Sequence, residues 1–316
     1  MTAAPQPLEP RASPTPTSFG VRPSSGPVLV KLEAAKTEIL EKATGSTVAQ
    51  LTALSGGDVA QSFRAEGTNG RTVFVKTHQN PPPGFFTTEA SGLEWLRTAD
   101  QIPVPAVLAV SDDPALLVLE WIEEAGGPPT DEELFGRSLA NLHQAGAVSF
   151  GRQDRRTTGS RALPNQPCET WVEFYADNRL RPLAKLAADQ GALPATAISE
   201  LETVADNLAE LGGPPEPPAR LHGDLWAGNR LVDRGGRSWL IDPACHGGHR
   251  EFDLAMMHLF GGFSAQCHSA YNEAHQLADG WPERVALHQL APLVVHAIKF
   301  GGGYRAAATD AIARYS

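Results

Sequence analysis

The side chains best equipped for chemistry lie between Arg220 and Asp242, in the run R-L-H-G-D-L-W-A-G-N-R-L-V-D-R-G-G-R-S-W-L-I-D. His222, Gly223, Asp224, Leu225 and Asn229 have the order and spacing of the phosphotransfer loop H-R-D-L-x-x-x-N, with glycine in place of arginine. Phosphoryl transfer needs a carboxylate to accept a hydroxyl proton and oxygen ligands to hold magnesium on nucleotide phosphates. Asp224 fits the first role, and Asn229 and Asp242 fit the second, so ATP and Mg2+ are the expected cosubstrate and metal. Leu231–Val232 and Ser238–Ile241 read as strands joined by Asp233-Arg234-Gly235-Gly236, a hairpin that returns Asp242 to Asn229. A polar surface turn between two strands is the plainer alternative. The His-Gly before the loop and the Asp at the hairpin exit favour catalysis over it.

Other elements must bring a cation and the nucleotide to this loop. Lys76 ends the β-branched run from Thr72 and resembles the V-A-I-K lysine that contacts the α- and β-phosphates and pairs with a helix glutamate. A helix expected over 87–98 offers Glu89 as that partner, with Glu94 as competitor. Val48–Leu54 and Ser62–Glu66 read as strands around Ser55-Gly56-Gly57-Asp58. Gly56 and Gly57 have the flexibility to lay backbone N–H groups over phosphates, and equally to form an ordinary hairpin turn. The apolar run 115–122 ends in Glu120-Trp121-Ile122, where chain order places a lobe junction with adenine on the backbone. A buried edge strand looks the same.

Further on, residues 131–144 form an amphipathic helix with Leu134, Leu139 and Leu142 on one side, capped by Thr130 or Asp131 with Glu133 in the capping box. His143 reads as a core-edge histidine. The stretch 150–165 is basic, through Arg152, Arg155, Arg156 and Arg161, and reads as a solvated connector or a steering loop for an anionic target. Helices are expected over 29–42, 170–188, 196–211, from about 250 to 260, and over 269–277, 284–300 and 304–315. Asp253 is expected to tie its helix to the catalytic loop.

Composition narrows the class. A chain of 316 residues with a net charge of −10 has neither the basic footprint of a nucleic-acid binder nor that of an anionic-membrane binder. Its three cysteines, Cys168, Cys245 and Cys267, form no C-x-x-C pair, which points to a reduced cytoplasm. Cys245-His246-x-x-His249 has no fourth metal partner in register. No run of 18 apolar residues is present, so no membrane span is expected. Residues 1–28, rich in Pro, Ser and Thr, read as a disordered tail. Residues 29–122 form the expected nucleotide lobe, and residues 123–316 a helical catalytic and substrate lobe.

The run L-H-G-D-L-W-A-G-N, then I-D-P-A, then G-H-R-E-F-D-L-A resembles the fructosamine/ketosamine 3-kinase family, part of the aminoglycoside-phosphotransferase and choline-kinase-like group. S-G-G-D-V, V-F-V-K, W-V-E-F-Y-A-D-N-R-L-R-P-L and K-F-G-G-G-Y agree, and the likeness runs from about 32 to 315. It implies an α+β, two-lobed protein-kinase-like fold, with a small antiparallel-sheet N-lobe plus one helix pair and a larger, mainly helical C-lobe. It also implies ATP-dependent phosphorylation of the C3 hydroxyl of ketosamines on glycated proteins, or of free ketosamines. The phosphorylated adduct sheds its sugar, so the outcome is deglycation. Bacterial-looking members favour ribulosamines over fructosamines. Carried onto this chain, Asp224 is the base, Asn229 and Asp242 the magnesium ligands, Lys76 and Glu89 the phosphate lysine and its partner. Trp226 is the candidate to pack against the sugar. A monomer is expected, though nothing in the residues specifies an oligomeric state. Cys245-His246-Gly247 departs from the Ser-Phe-Tyr-like run common at that place. Two other readings stand beside it: a small-molecule kinase of the aminoglycoside or choline type, and an ATP-binding scaffold without catalysis.

Overall fold

The computed structural model describes residues 32–54, 60–126, 129–154 and 163–316, with the backbone of 157–158. The Pro-rich tail, Gly56, Gly57, Arg155, Arg156 and Arg161 lie outside the described residues.

Five strands, β1 (Val48–Leu54), β2 (Gln61–Gly67), β3 (Thr72–Thr77), β4 (Val107–Asp112) and β5 (Ala115–Glu120), form one antiparallel sheet in the order β1-β2-β3-β5-β4. Side chains of a strand alternate between the two faces of a sheet. Val73 and Val75 of β3 therefore join Leu40, Leu51 and Phe63 under helix α1 (Ala34–Thr44). Phe74 faces the opposite side, toward helix α2 (Phe85–Arg97), and the same alternation puts Lys76 there. β5 is buried on both faces, with Leu116 and Val118 on one and Leu117 and Leu119 on the other. Its unbroken apolar sequence is what a two-sided strand requires.

The apolar side of α2 (Phe86, Ala90, Leu93, Leu96) shares one core with Leu139, Leu142, Leu225, Leu240, Cys245 and Leu254. This core crosses from sheet to helical region, so α2 rests on the segment around Leu225, Leu240 and Cys245 as well as on the sheet. Gly92 makes the close approach possible: a Cβ there would stand 3.3 Å from Pro243 and 3.4 Å from the Cys245 sulfur. Arg220 reinforces the seat by donating to the Trp95 carbonyl at 2.9 Å and the Thr98 hydroxyl at 2.7 Å.

The helical region opens with α3 (Glu132–Gln144), capped by the Asp131 carboxylate, which accepts the Leu134 N–H at 2.9 Å. Two short strands, β6 (Thr157–Thr158) and β7 (Leu163–Pro164), precede α4 (Trp171–Tyr175), a π-helical turn (Ala176–Leu180) and α5 (Arg181–Asp189). Then come α6 (Ala195–Asp206), α7 (Leu208–Leu211) and strands β8 (Ala219–Leu221), β9 (Arg230–Val232), β10 (Ser238–Leu240) and β11 (His246–Gly248). The chain closes with α8 (Glu251–Phe260), α9 (Ala265–Ala274), α10 (Trp281–His288), α11 (Leu290–Phe300) and α12 (Gly303–Ile312).

Several expectations need correction. Leu134 is 57% exposed and Phe135 is buried in its place, because capping by Asp131 sets the helix phase. Glu133 pairs with Arg137 rather than completing a capping box. Arg152 is no solvated cation: it is buried, bonded to Asp154 and Ser91, and stacked on Trp95 at 4.9 Å. The expected helix over 170–188 is interrupted by the π-helical turn, and those over 196–211 and 284–300 are each divided in two.

Candidate active site

The loop after β8 is tied from below. Asp253, on the first turn of α8, is fully buried and accepts the N–H groups of His222 at 2.7 Å and Gly223 at 2.9 Å. It also meets His143 Nε2 at 3.3 Å, and His143 Nδ1 meets the Tyr271 hydroxyl at 2.8 Å. Asp253 thus ties its helix to the loop, as expected, and His143 is a support one layer further down. His222 Nδ1 accepts the Asp224 N–H at 3.3 Å, which leaves Nε2–H to donate to the Ile241 carbonyl at 2.9 Å. This tautomer is neutral, and burial lowers the His222 pKa in keeping with it.

Asp224 is half-buried, and the Asn229 side-chain amide donates to its main-chain oxygen at 2.9 Å and its carboxylate at 3.1 Å. Burial, followed by the negative charge of Asp242, pushes the Asp224 carboxyl up to about 7, while Lys299 pulls it part of the way back. Beyond Asn229, β9 and β10 pair Leu231 with Trp239 and Arg230 with Leu240, as the hairpin reading required. The Ile241 N–H donates to the Asn229 carbonyl at 3.0 Å, so the hairpin exit is stitched to the loop.

Asp242 follows with φ at 52°, a left-handed backbone that non-glycine residues adopt at a cost of order 1–3 kcal/mol. Its side chain is partly exposed, but its carboxylate turns inward to pair with Lys76, and Lys76 also donates to Glu89 at 2.8 Å. Glu94, the competitor, is exposed. Burial alone would lower the Lys76 pKa, but Asp242 and Glu89 together hold it above the ordinary lysine value. Burial pushes Glu89 up to about 7 against the pull of Lys76, while Lys76 keeps Asp242 below the usual carboxylate range despite burial.

Glu120 closes β5 by accepting the Ala106 N–H on its carboxylate at 3.1 Å. The Trp121 indole donates to Glu123 at 3.0 Å and lies under Arg64, and Ile122 is buried. The side chains of this junction are thus committed to structure. The connector after it pairs with the β9–β10 hairpin through Ala125 N–H to the Val232 carbonyl at 2.9 Å. Trp226 is half-buried beside Phe260. Of the metal-like run after Asp242, the Cys245 thiol reaches the Gly92 carbonyl and His246 Nδ1 the Ala244 carbonyl. His249 gathers instead with Glu251 and His288, where Glu251 is held by both nitrogens of the Arg284 fork. The sequence did not reveal Arg220 beneath α2, or Lys299 within electrostatic reach of Asp224; each is a lone cation far along the chain from the group it serves.

A five-stranded antiparallel sheet carrying a lysine–glutamate pair, set over a helical lobe whose loop carries Asp224 and Asn229, has the architecture of protein-kinase-like phosphotransferases. A family model described as fructosamine kinase matches residues 32–316. A Thermobifida fusca protein solved as a candidate fructosamine-3-kinase superposes with a TM-score of 0.82 at 40% identity, over 90% of this chain and 98% of that one. The chloroplastic protein-ribulosamine 3-kinase of Arabidopsis thaliana is 32% identical, over 88% of this chain and 86% of its own. The choline kinase LicA of Streptococcus pneumoniae shares the fold, with a TM-score of 0.62 at 16% identity, over 88% of this chain and 99% of that one. The chain belongs to the fructosamine kinase family, and is a phosphotransferase with an alcohol group as acceptor. No helix among the described residues is long and apolar enough to cross a membrane.

Proposed function

We propose that this protein transfers the γ-phosphoryl group of ATP to the C3 hydroxyl of ketosamines of the ribulosamine and fructosamine type, and so promotes deglycation in the cytoplasm, acting as a monomer. The observation that carries the reading is the junction of Lys76 with both Glu89 and Asp242, next to a carboxylate whose pKa burial has raised into the neutral range.

In this reading residues 29–122 bind nucleotide and residues 123–316 bind the acceptor. Lys76 contacts the phosphates, with Glu89 fixing its direction, and adenine lies along the main chain of Glu120–Ile122. Asn229 and Asp242 would hold Mg2+. The fit is chemical: both present oxygen donors, the preference of this hard cation, and the Asn229 amide nitrogen is already spent on Asp224, which turns its oxygen to the other side. Bound there, the ion supplies charge neutralisation on the phosphate oxygens.

Asp224 does the remaining work. Asn229 and the loop beneath it fix the carboxylate, and it accepts the acceptor's hydroxyl proton late in an in-line transfer. A pKa near 7 suits that task, since a base is most effective when its pKa lies near the working pH. Trp226 packs against the sugar. The test is incubation with ribated and glucated protein plus Mg-ATP, reading phosphate incorporation by mass. Transfer to ribated protein is expected; transfer to neither protein overturns the proposal.

A further inference from the structure

A row of aromatic rings leads away from the catalytic loop. The Trp226 N–H donates to the Asp224 carbonyl at 3.2 Å, and its ring meets Phe260 edge-on, with centroids 5.9 Å apart. Phe260 lies 5.3 Å from His296, and His296 lies 5.5 Å from Phe300 and 5.0 Å from Tyr304. Local sequence builds this row. His296 and Phe300 stand four residues apart on one side of α11, and the His296 ring is held by the Pro292 carbonyl at 2.6 Å. Gly301 and Gly302, at φ 63° and 53°, turn the chain so that Tyr304 of α12 folds back onto both rings.

The row is half-buried except at its outer end, where Phe300 is 49% exposed. Lone exposed apolar side chains are ordinary; among the described residues the exposed large ones are Val110, Leu134, Val148 and Phe300, and Phe300 is the one that connects through rings to the Asp224 loop. One ammonium already uses it, since Lys299 Nζ lies 4.8 Å from the centre of the Phe300 ring.

We propose that this row is the docking track for the lysine side chain that carries the ketosamine, with Phe300 and Tyr304 meeting the carrier protein. The inference rests on the kinase reading above. A glycated lysine offers four methylenes and a secondary ammonium behind the sugar. Aromatic faces bind both, through apolar burial and through cation–π attraction. With the sugar beside Trp226, the short lysyl stem lies along Phe260, and the carrier surface around that lysine meets His296, Tyr304 and Phe300 further along the row.

The experiment compares KM for a ribated protein with KM for free ribulosyl-lysine in wild type, F300A and F300Y. The expected result is a rise on the order of tenfold in F300A for ribated protein, matching one lost ring contact at about 1.4 kcal/mol. The rise for the free acceptor is clearly smaller, KM for ATP and Tm stay at wild-type values, and F300Y, which keeps the ring, restores the carrier-bound KM. Equal changes for both acceptors, or none for either, overturn the track while leaving the kinase reading in place. Failure of the wild type to phosphorylate either acceptor removes the kinase reading and the track with it.

Discussion

The Asp253 carboxylate accepts the Gly223 N–H at 2.9 Å, so the residue before Asp224 in the chain hangs from a fully buried anion on α8. The same carboxylate takes the His222 N–H and the His143 ring. Asp253→Ala strands these donors in a dry interior, and breaking a buried polar network of this kind costs about 3–5 kcal/mol. Urea unfolding checks it, and a loss below about 1 kcal/mol would sink the account. Burial opposes ionisation of Asp253, but the His143 bond and the donated N–H groups hold its carboxyl below the ordinary range. Its stabilisation is therefore present above the unfolded carboxylate pKa of about 4 and is lost as pH falls through the lower, folded value. In Asp253→Ala that acid-side loss is absent.

Asp224→Ala is expected to lower turnover by about 10²–10⁴-fold, the range for removal of a general base. Nucleotide affinity stays close to wild type, because Lys76, Glu89 and Asp242 are bonded to one another and not to Asp224. Steady-state kinetics with nucleotide titration separates the two; a variant that keeps a tenth of the wild-type rate would refute the assignment. In wild type, activity rises with pH through a limb near 7 as Asp224 loses its proton.

The same raised pKa has a cost in stability. A carboxyl whose folded pKa lies above its unfolded pKa is best accommodated when protonated, so stability declines as pH rises from about 4 to about 7. Asp224→Asn removes the charge and keeps an oxygen for the Asn229 amide. Its Tm should exceed that of wild type at pH 8, and the gap should close toward pH 4. A gap independent of pH would show that Asp224 ionisation places no strain on the fold.

Gly223→Ala tests the tightness of the loop. Gly223 has φ at 81°, and a Cβ there would collide with the Ala244 carbonyl oxygen, a backbone atom that cannot swing aside. The two segments are locked at this point, since the Ala244 N–H donates to the His222 carbonyl at 2.9 Å. Backbone strain of about 1–3 kcal/mol is expected, with at least a tenfold loss of kcat because Asp224 is the next residue. Circular dichroism and kinetics measure the two parts, and wild-type kcat in a folded variant would exclude the packing argument.

Much of the site was legible because its groups lie close together in the chain. Asp224, Asn229 and Asp242 occupy one loop and one hairpin, and strand pairing over so short a span leaves little freedom in where they end up. The V-A-I-K-like run likewise singled out Lys76, and the helix after it offered Glu89 and Glu94, between which the packing of α2 selects Glu89.

Tertiary structure decided what depends on groups distant in sequence. Glu89 and Asp242 converge on Lys76 because α2 is seated on Pro243 and Cys245 by Gly92 and on β8 by Arg220, contacts between segments that no periodicity links. The neutral-range pKa of Asp224 comes from burial and from a neighbouring anion, neither of which is a property of the residue itself. The aromatic row from Trp226 to Phe300 exists only because α8, α11 and α12 bring their ends to the same side of the loop. Local chemistry is written in residue type and spacing, whereas electric field and docking surface arise from which distant side chains the packed core places beside one another.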